Sequence, residues 1–164
     1  MELLRTAALV GATVAMALFA GLFYTFAMSV MVGLKRTDDR TFVTAMQWIN
    51  ATITNGWFAI SFFGSIALSV LAAVLHVGGD GRRVVPWIVA AIACYAVTFA
   101  ITMGVNVPLN NALAAAGEPD RVADLAAVRE RFEARWVHWN VARAVTSTAA
   151  VGFLAWALVL HGAL

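Results

Sequence analysis

Charge is what this sequence has least of. No Asp, Glu, Lys or Arg occurs between Arg5 and Lys35, between Arg40 and Asp80, between Arg83 and Glu118, or after Arg143. Charged residues make up 12% of the chain and hydrophobic ones 62%, against roughly 25% charged in an ordinary soluble domain. Cysteine is almost missing. Cys94 alone excludes an intrachain disulfide or a Cys-x-x-Cys redox pair, and mid-run it reads as a small apolar filler. His76, His138 and His161 are not paired at i, i+4, and no cysteine or carboxylate cluster accompanies them. This argues against a metal or haem site built from imidazoles. A phosphate-binding glycine loop, a nucleophile elbow and paired carboxylates are also lacking. The expectation is no metal and no cofactor. No basic stripe with interleaved aromatics is present, so nucleic acid is not an expected partner.

What remains is long apolar runs. A hydrocarbon core of ~30 Å needs about 20 residues of helix, and the four charge-free gaps place spans near 7–33, 56–77, 85–107 and 140–161. The predicted fold is all-α: one integral membrane domain, residues 1–164, forming a four-transmembrane-helix bundle with short interfacial amphipathic helices. The first apolar run outlasts the 7–15-residue core of a signal peptide, which favours a retained span over cleavage near Ala15-Met16-Ala17. The lipid bilayer is the principal expected partner, in a bacterial cytoplasmic membrane. A homo-oligomer or a larger membrane complex is compatible with this composition.

Four spans put both termini and the turn Val77–Arg83 on one side, and the Lys35–Arg40 and 111–135 connections on the far side. Basic residues occur on both sides, so their distribution assigns no orientation. On the far side, Thr37 followed by Asp38 and Asp39 predicts a helix N-cap with acids in the first turn. That interfacial helix would run through Gln47 and Asn50 until Asn55-Gly56 breaks it. Gly117-Glu118-Pro119-Asp120 reads as a stop and a restart, and the helical pattern of 121–135 leads into the fourth span.

Polar residues at membrane depth need partners, so their placement carries information. Three groups converge on the far side: Gln47, Asn50 and Thr54; Asn106, Asn110 and Asn111 around Pro108; and Trp136, Trp139, Asn140 and Arg143. At about 100° per residue, Trp136, Asn140, Arg143 and Ser147 share a stripe, Trp139 lies beside it, and His138 falls roughly opposite. Tyr95, Phe99, Thr102, Asn106 and Asn110 form a second stripe if the helix survives Pro108, whose ring frees the carbonyl of Gly104. Arg143 is the sharpest signal. Either it lines a cavity and binds an anion, enolate or carbonyl, or it snorkels or is held structurally by Asn and backbone carbonyls. The span-end tryptophans fit an interfacial belt as well as a site.

Ala45-Met46-Gln47-Trp48-Ile49-Asn50, Asn106-Val107-Pro108-Leu109-Asn110-Asn111 and Arg135-Trp136-Val137-His138-Trp139-Asn140-Val141-Ala142-Arg143 resemble, in order and spacing, the anthrone oxygenase-like family of small four-helix membrane proteins. The resemblance implies oxidation of an activated aromatic methylene without metal or flavin. It implies Arg143, Asn106 and Asn140 as catalytic residues stabilising an enolate, with His138 the candidate base by residue type although it faces away from the Arg143 stripe. Gln47, Asn50, Tyr95, Asn110, Trp136 and Trp139 are then expected to contact a hydrophobic aromatic small molecule. The alternative is a non-catalytic membrane subunit or scaffold that binds a partner protein, lipid or hydrophobic ligand. Lipid-type transport is a third reading.

Overall fold

The computed structural model describes all 164 residues and is helical throughout, with no strand. Five helices carry the chain: α1 Glu2–Leu34, α2 Asp39–Ile53, α3 Gly56–His76, α4 Val85–Ala115 and α5 Leu125–Gly162. All but α2 are long and apolar enough to cross a membrane. The chain is thus an integral membrane helical bundle.

α1 packs along both α3 and α5, α4 packs along α5, and α3 meets α4 to close the ring. Outward-facing Leu18, Ile60, Phe63, Val70, Val145 and Val159 are exposed, as lipid-facing positions are where the surrounding solvent is itself apolar. Inside, Leu9, Met16, Phe62, Ile88 and Leu154 belong to one buried apolar cluster. A second cluster, on the far side, joins Met31, Phe42, Met46, Leu113, Phe132 and Trp136, and it seats α2 against α5 and the end of α4.

The helices outrun the apolar spans. α5 has 38 residues, about 57 Å at 1.5 Å per residue, so its amphipathic first turns extend beyond a ~30 Å core. α4 continues through Pro108 to Ala115 because the turn Thr102–Asn106 widens to i→i+5 hydrogen bonding, with the Val107 amide donating to the Thr102 carbonyl. The wider turn accommodates the proline without ending the helix. A second widened turn, Phe26–Val30, interrupts α1.

The helix starts differ from expectation in two places. The N-cap of α2 is Asp38, not Thr37: its carboxylate accepts from the Thr41 amide at 2.9 Å, whereas the Thr37 hydroxyl donates to the Leu34 carbonyl and finishes α1. After Gly117, whose φ of 86° lets the chain leave α4, only a short 3₁₀ turn forms at Pro119–Arg121. α5 starts later, where Asp124 accepts from the Ala127 amide. Asn55 both ends α2 and caps α3, accepting from Phe58 at 3.0 Å.

The Thr41 amide, and then its hydroxyl, hold the Asp38 carboxyl below the ordinary carboxylate range. A depressed folded-state value means that this contribution is complete above the unfolded pKa near ~4, and is lost as pH falls through the lower folded one.

Arg129 ties the far side together. It donates to Glu133 at 2.6 Å, to Asp39 at 3.0 Å, and to the carbonyls of Thr37 and Lys35 at 2.9 and 3.0 Å. Its guanidinium also lies 4.4 Å from the Phe42 ring centroid. Arg129→Ala is expected to lower stability by at least about 2 kcal/mol, since even one hydrogen bond to a charged group is worth ~1.5–3 kcal/mol. Arg40→Ala, which breaks an exposed pair with Asp120, should change it by less than about 1 kcal/mol. Unfolding in detergent checks both; equal losses would contradict this ranking.

Candidate functional site

A cavity of about 560 Å³ opens on the far side, between α1, α3, α4 and α5, with α2 across its mouth. Its size is in the range of small-molecule sites. The walls are aromatic and aliphatic, and the polar groups in them come from separate helices: Asn50 from α2, Thr102, Asn106 and Asn110 from α4, Asn140 and Arg143 from α5. Both widened turns abut it. Phe26 begins the one in α1, while Thr102 and Asn106 bound the one in α4.

Arg143 is 5% exposed and is the only Asp, Glu, Lys or Arg among the buried residues. One terminal nitrogen donates to Asn140 Oδ1 at 2.9 Å, and the other reaches Thr102 Oγ1 at 3.5 Å. Its guanidinium carbon lies 4.4 Å from the Phe23 ring centroid and 5.4 Å from that of Trp136. No carboxylate pairs with it, because every ion pair in the chain belongs to Arg5, Arg40 or Arg129. The charge is therefore held by dipoles and ring faces alone.

The neighbours are oriented by their own bonds. Asn140 Nδ2 donates to the Phe23 carbonyl at 3.0 Å, which leaves its oxygen for Arg143. Trp136 Nε1 donates to Asn110 Oδ1 at 2.8 Å, and its ring stacks on Phe132 at 6.0 Å. Asn106 Nδ2 donates to the Trp136 carbonyl at 3.3 Å.

Of the residues expected at the site, Arg143, Asn106, Asn140, Asn50, Asn110 and Trp136 line this cavity. The other four do not. Gln47 donates to the carbonyls of Leu113 and Gly117 at 2.9 and 3.0 Å, completing the end of α4. Tyr95 stands 11 residues before Asn106, about 16 Å further along α4; it is fully buried and donates to the Phe62 carbonyl at 3.0 Å. His138 is exposed on the opposite face of α5 with its ring against Trp139, centroids 5.6 Å apart. Sequence reasoning did not find Phe23 and Phe26, because aromatics inside an apolar helix carry no polar signal. Their spacing from Phe19 is the one available hint of a common face.

If Arg143 serves a ligand rather than the fold, removing its uncompensated charge should not destabilise the bundle. Arg143→Met is expected to leave the thermal midpoint unchanged or raise it, as apolar replacements of buried ionic groups often do. A drop of several degrees would make Arg143 a structural tie.

No curated protein and no solved structure matches the chain. A sequence model described as anthrone oxygenase matches residues 57–153. That stretch covers all but the first residue of α3, the whole of α4 and the part of α5 that carries Trp136, Asn140 and Arg143. With more than half its length matched, the chain belongs to the anthrone oxygenase family.

Proposed function

We propose that the protein is a membrane-embedded oxygenase that converts an activated methylene of a hydrophobic aromatic ketone to a carbonyl, using molecular oxygen. The observation that carries this reading is Arg143: a buried cation with no counter-anion on the wall of an aromatic cavity. Family membership supports it.

A methylene set between aryl rings and conjugated with a ketone is a carbon acid. Losing a proton gives an enolate with charge on oxygen and reactive density on carbon. Arg143 would bind the oxyanion, which is the preorganised stabilisation of developing charge that most reduces barriers of this kind. Asn140 acts through Arg143 as a positioning residue, since both ends of its amide are already engaged. The Phe23 and Trp136 rings would flank the polycycle.

The reaction balances without another reductant. The enolate carbon adds to O₂ and takes up a proton to give a hydroperoxide; its O–O bond then breaks with loss of the remaining C–H hydrogen. One oxygen atom becomes the new carbonyl and the other leaves as water. Arg143 is the only ionisable residue on the cavity wall. The first proton is therefore passed to water, and the site acts by preferring the ionised form, the enolate. Hydrophobic substrate would arrive from the bilayer, where the elbow between α2 and α3, at Thr54 and Asn55, borders the mouth.

The test is oxygen uptake and quinone formation with anthrone, using protein in liposomes and protein-free liposomes as the background. Arg143→Met should lower kcat/KM by about 10²–10³-fold, the usual effect of losing an oxyanion donor; wild-type turnover in that variant would refute the assignment. His138→Ala should leave the rate and its pH profile as they are, with activity rising as the substrate's own enol ionises. A tenfold loss would instead make His138 the base.

A further inference from the structure

Three buried side-chain polar atoms in the chain have no hydrogen-bond partner: Asn50 Nδ2, Asn106 Oδ1 and Arg143 Nε. They come from three helices, and all three residues line the one cavity. Native structures leave few such atoms unmet, because each has given up water for nothing. Deeper in the bundle the rule holds. Ser65, Ser69 and Ser147 each donate to a carbonyl four residues back, and Tyr95 donates to Phe62. The exceptions gather where a ligand could meet them.

Chemistry fixes which atoms are free at two of these positions. Asn106 must turn its NH₂ to the Trp136 carbonyl, so its oxygen is the atom left over, and that residue is 1% exposed. Arg143 Nε can only donate. With the Asn50 amide, the wall offers two donors and one acceptor. An enolate alone can use the donors, yet it has nothing to give Asn106.

We infer that the molecule bound in this cavity carries a hydrogen-bond donor as well as its oxygen acceptors, and that Asn106 Oδ1 is the specificity-determining group that reads it. The inference rests on the cavity being the substrate site and narrows what that site takes. The chemistry that fits is a ring hydroxyl distant from the ketone. A hydroxyl beside the ketone closes an internal hydrogen bond to it, so its proton is already engaged, whereas one further round the ring system has its proton free. Sites that hydrogen-bond a substrate hydroxyl discriminate strongly against analogues lacking it, since the buried partner is then stranded.

Stable quinones separate this inference from the reading beneath it. Purified protein in detergent micelles is titrated calorimetrically with anthraquinone, 2-hydroxyanthraquinone and 2-methoxyanthraquinone, at a pH that keeps the hydroxyl protonated. Wild type is expected to bind the hydroxylated compound about tenfold or more tightly than either analogue, and Asn106→Leu should bring all three within about twofold. Equal wild-type affinity for the hydroxyl compound and its methyl ether would overturn the role of Asn106 and leave the cavity as a binding site. So would a preference that persists in Asn106→Leu. The wild-type methyl ether comparison decides the matter even if the variant does not fold. Binding of none of the three would remove both the inference and the substrate-site reading.

Discussion

A guanidinium enclosed in a bundle of apolar helices, with no carboxylate to answer it, constrains everything around Arg143. Holding a charge at that depth costs at least several kcal/mol unless polar groups replace its hydration. The replacement here is neutral and incomplete: one amide oxygen from Asn140, a long contact to Thr102, and the faces of Phe23 and Trp136. A carboxylate partner would have satisfied the arginine and quenched its field. On the proposed chemistry, leaving it out would keep that field for an incoming anion. At about 4 Å and an effective dielectric near 20, unit charges attract by ~4 kcal/mol, equivalent to roughly a thousandfold in a rate if gained mainly at the transition state.

The backbone irregularities serve the same region. Pro108 forbids regular hydrogen bonding one turn earlier, and the chain responds with a widened turn that keeps α4 intact while carrying Asn106 to the Trp136 carbonyl and Asn110 to the Trp136 indole. Trp136 is thereby held from both ends by one neighbouring helix. α1 contributes the Phe23 carbonyl that orients Asn140, just before its own widened turn at Phe26–Val30. Helices locked by such unlike contacts cannot slide without breaking the Arg143 environment, so the site and the packing of the far side are one problem.

The parts of this arrangement that follow a single helix were legible in the sequence. Charge-free gaps located the spans, and 100° phasing put Trp136, Asn140 and Arg143 on one stripe with His138 behind it. Relations between helices were harder to read. Gln47 and Asn50 share a face at i, i+3, yet one completes the end of α4 and the other reaches the cavity. Tyr95 has the phase of Asn106 but not its depth. Thr37 and Asp38 are both good caps, and only the final turn of α1 decides which hydroxyl or carboxylate is taken. Phe23 had no polar signature, since its role depends on what α5 sets against it.

A cavity built around an unanswered cation also bears on how a product would leave. On the proposed chemistry the substrate is bound as an enolate, and oxidation replaces its acidic methylene with a second carbonyl. The quinone has no proton to lose at that carbon and carries no charge there, so its Coulombic attraction to Arg143 disappears when the reaction completes. What remains is a neutral carbonyl accepting from a guanidinium, together with the aromatic contacts that both species share. Those shared contacts bind substrate and product alike and give no turnover advantage, whereas the charge term acts only while the enolate exists. A carboxylate beside Arg143 would weaken the enolate's hold without helping release. On that chemistry the unpaired arginine would let one group both stabilise the reactive form and relinquish its product.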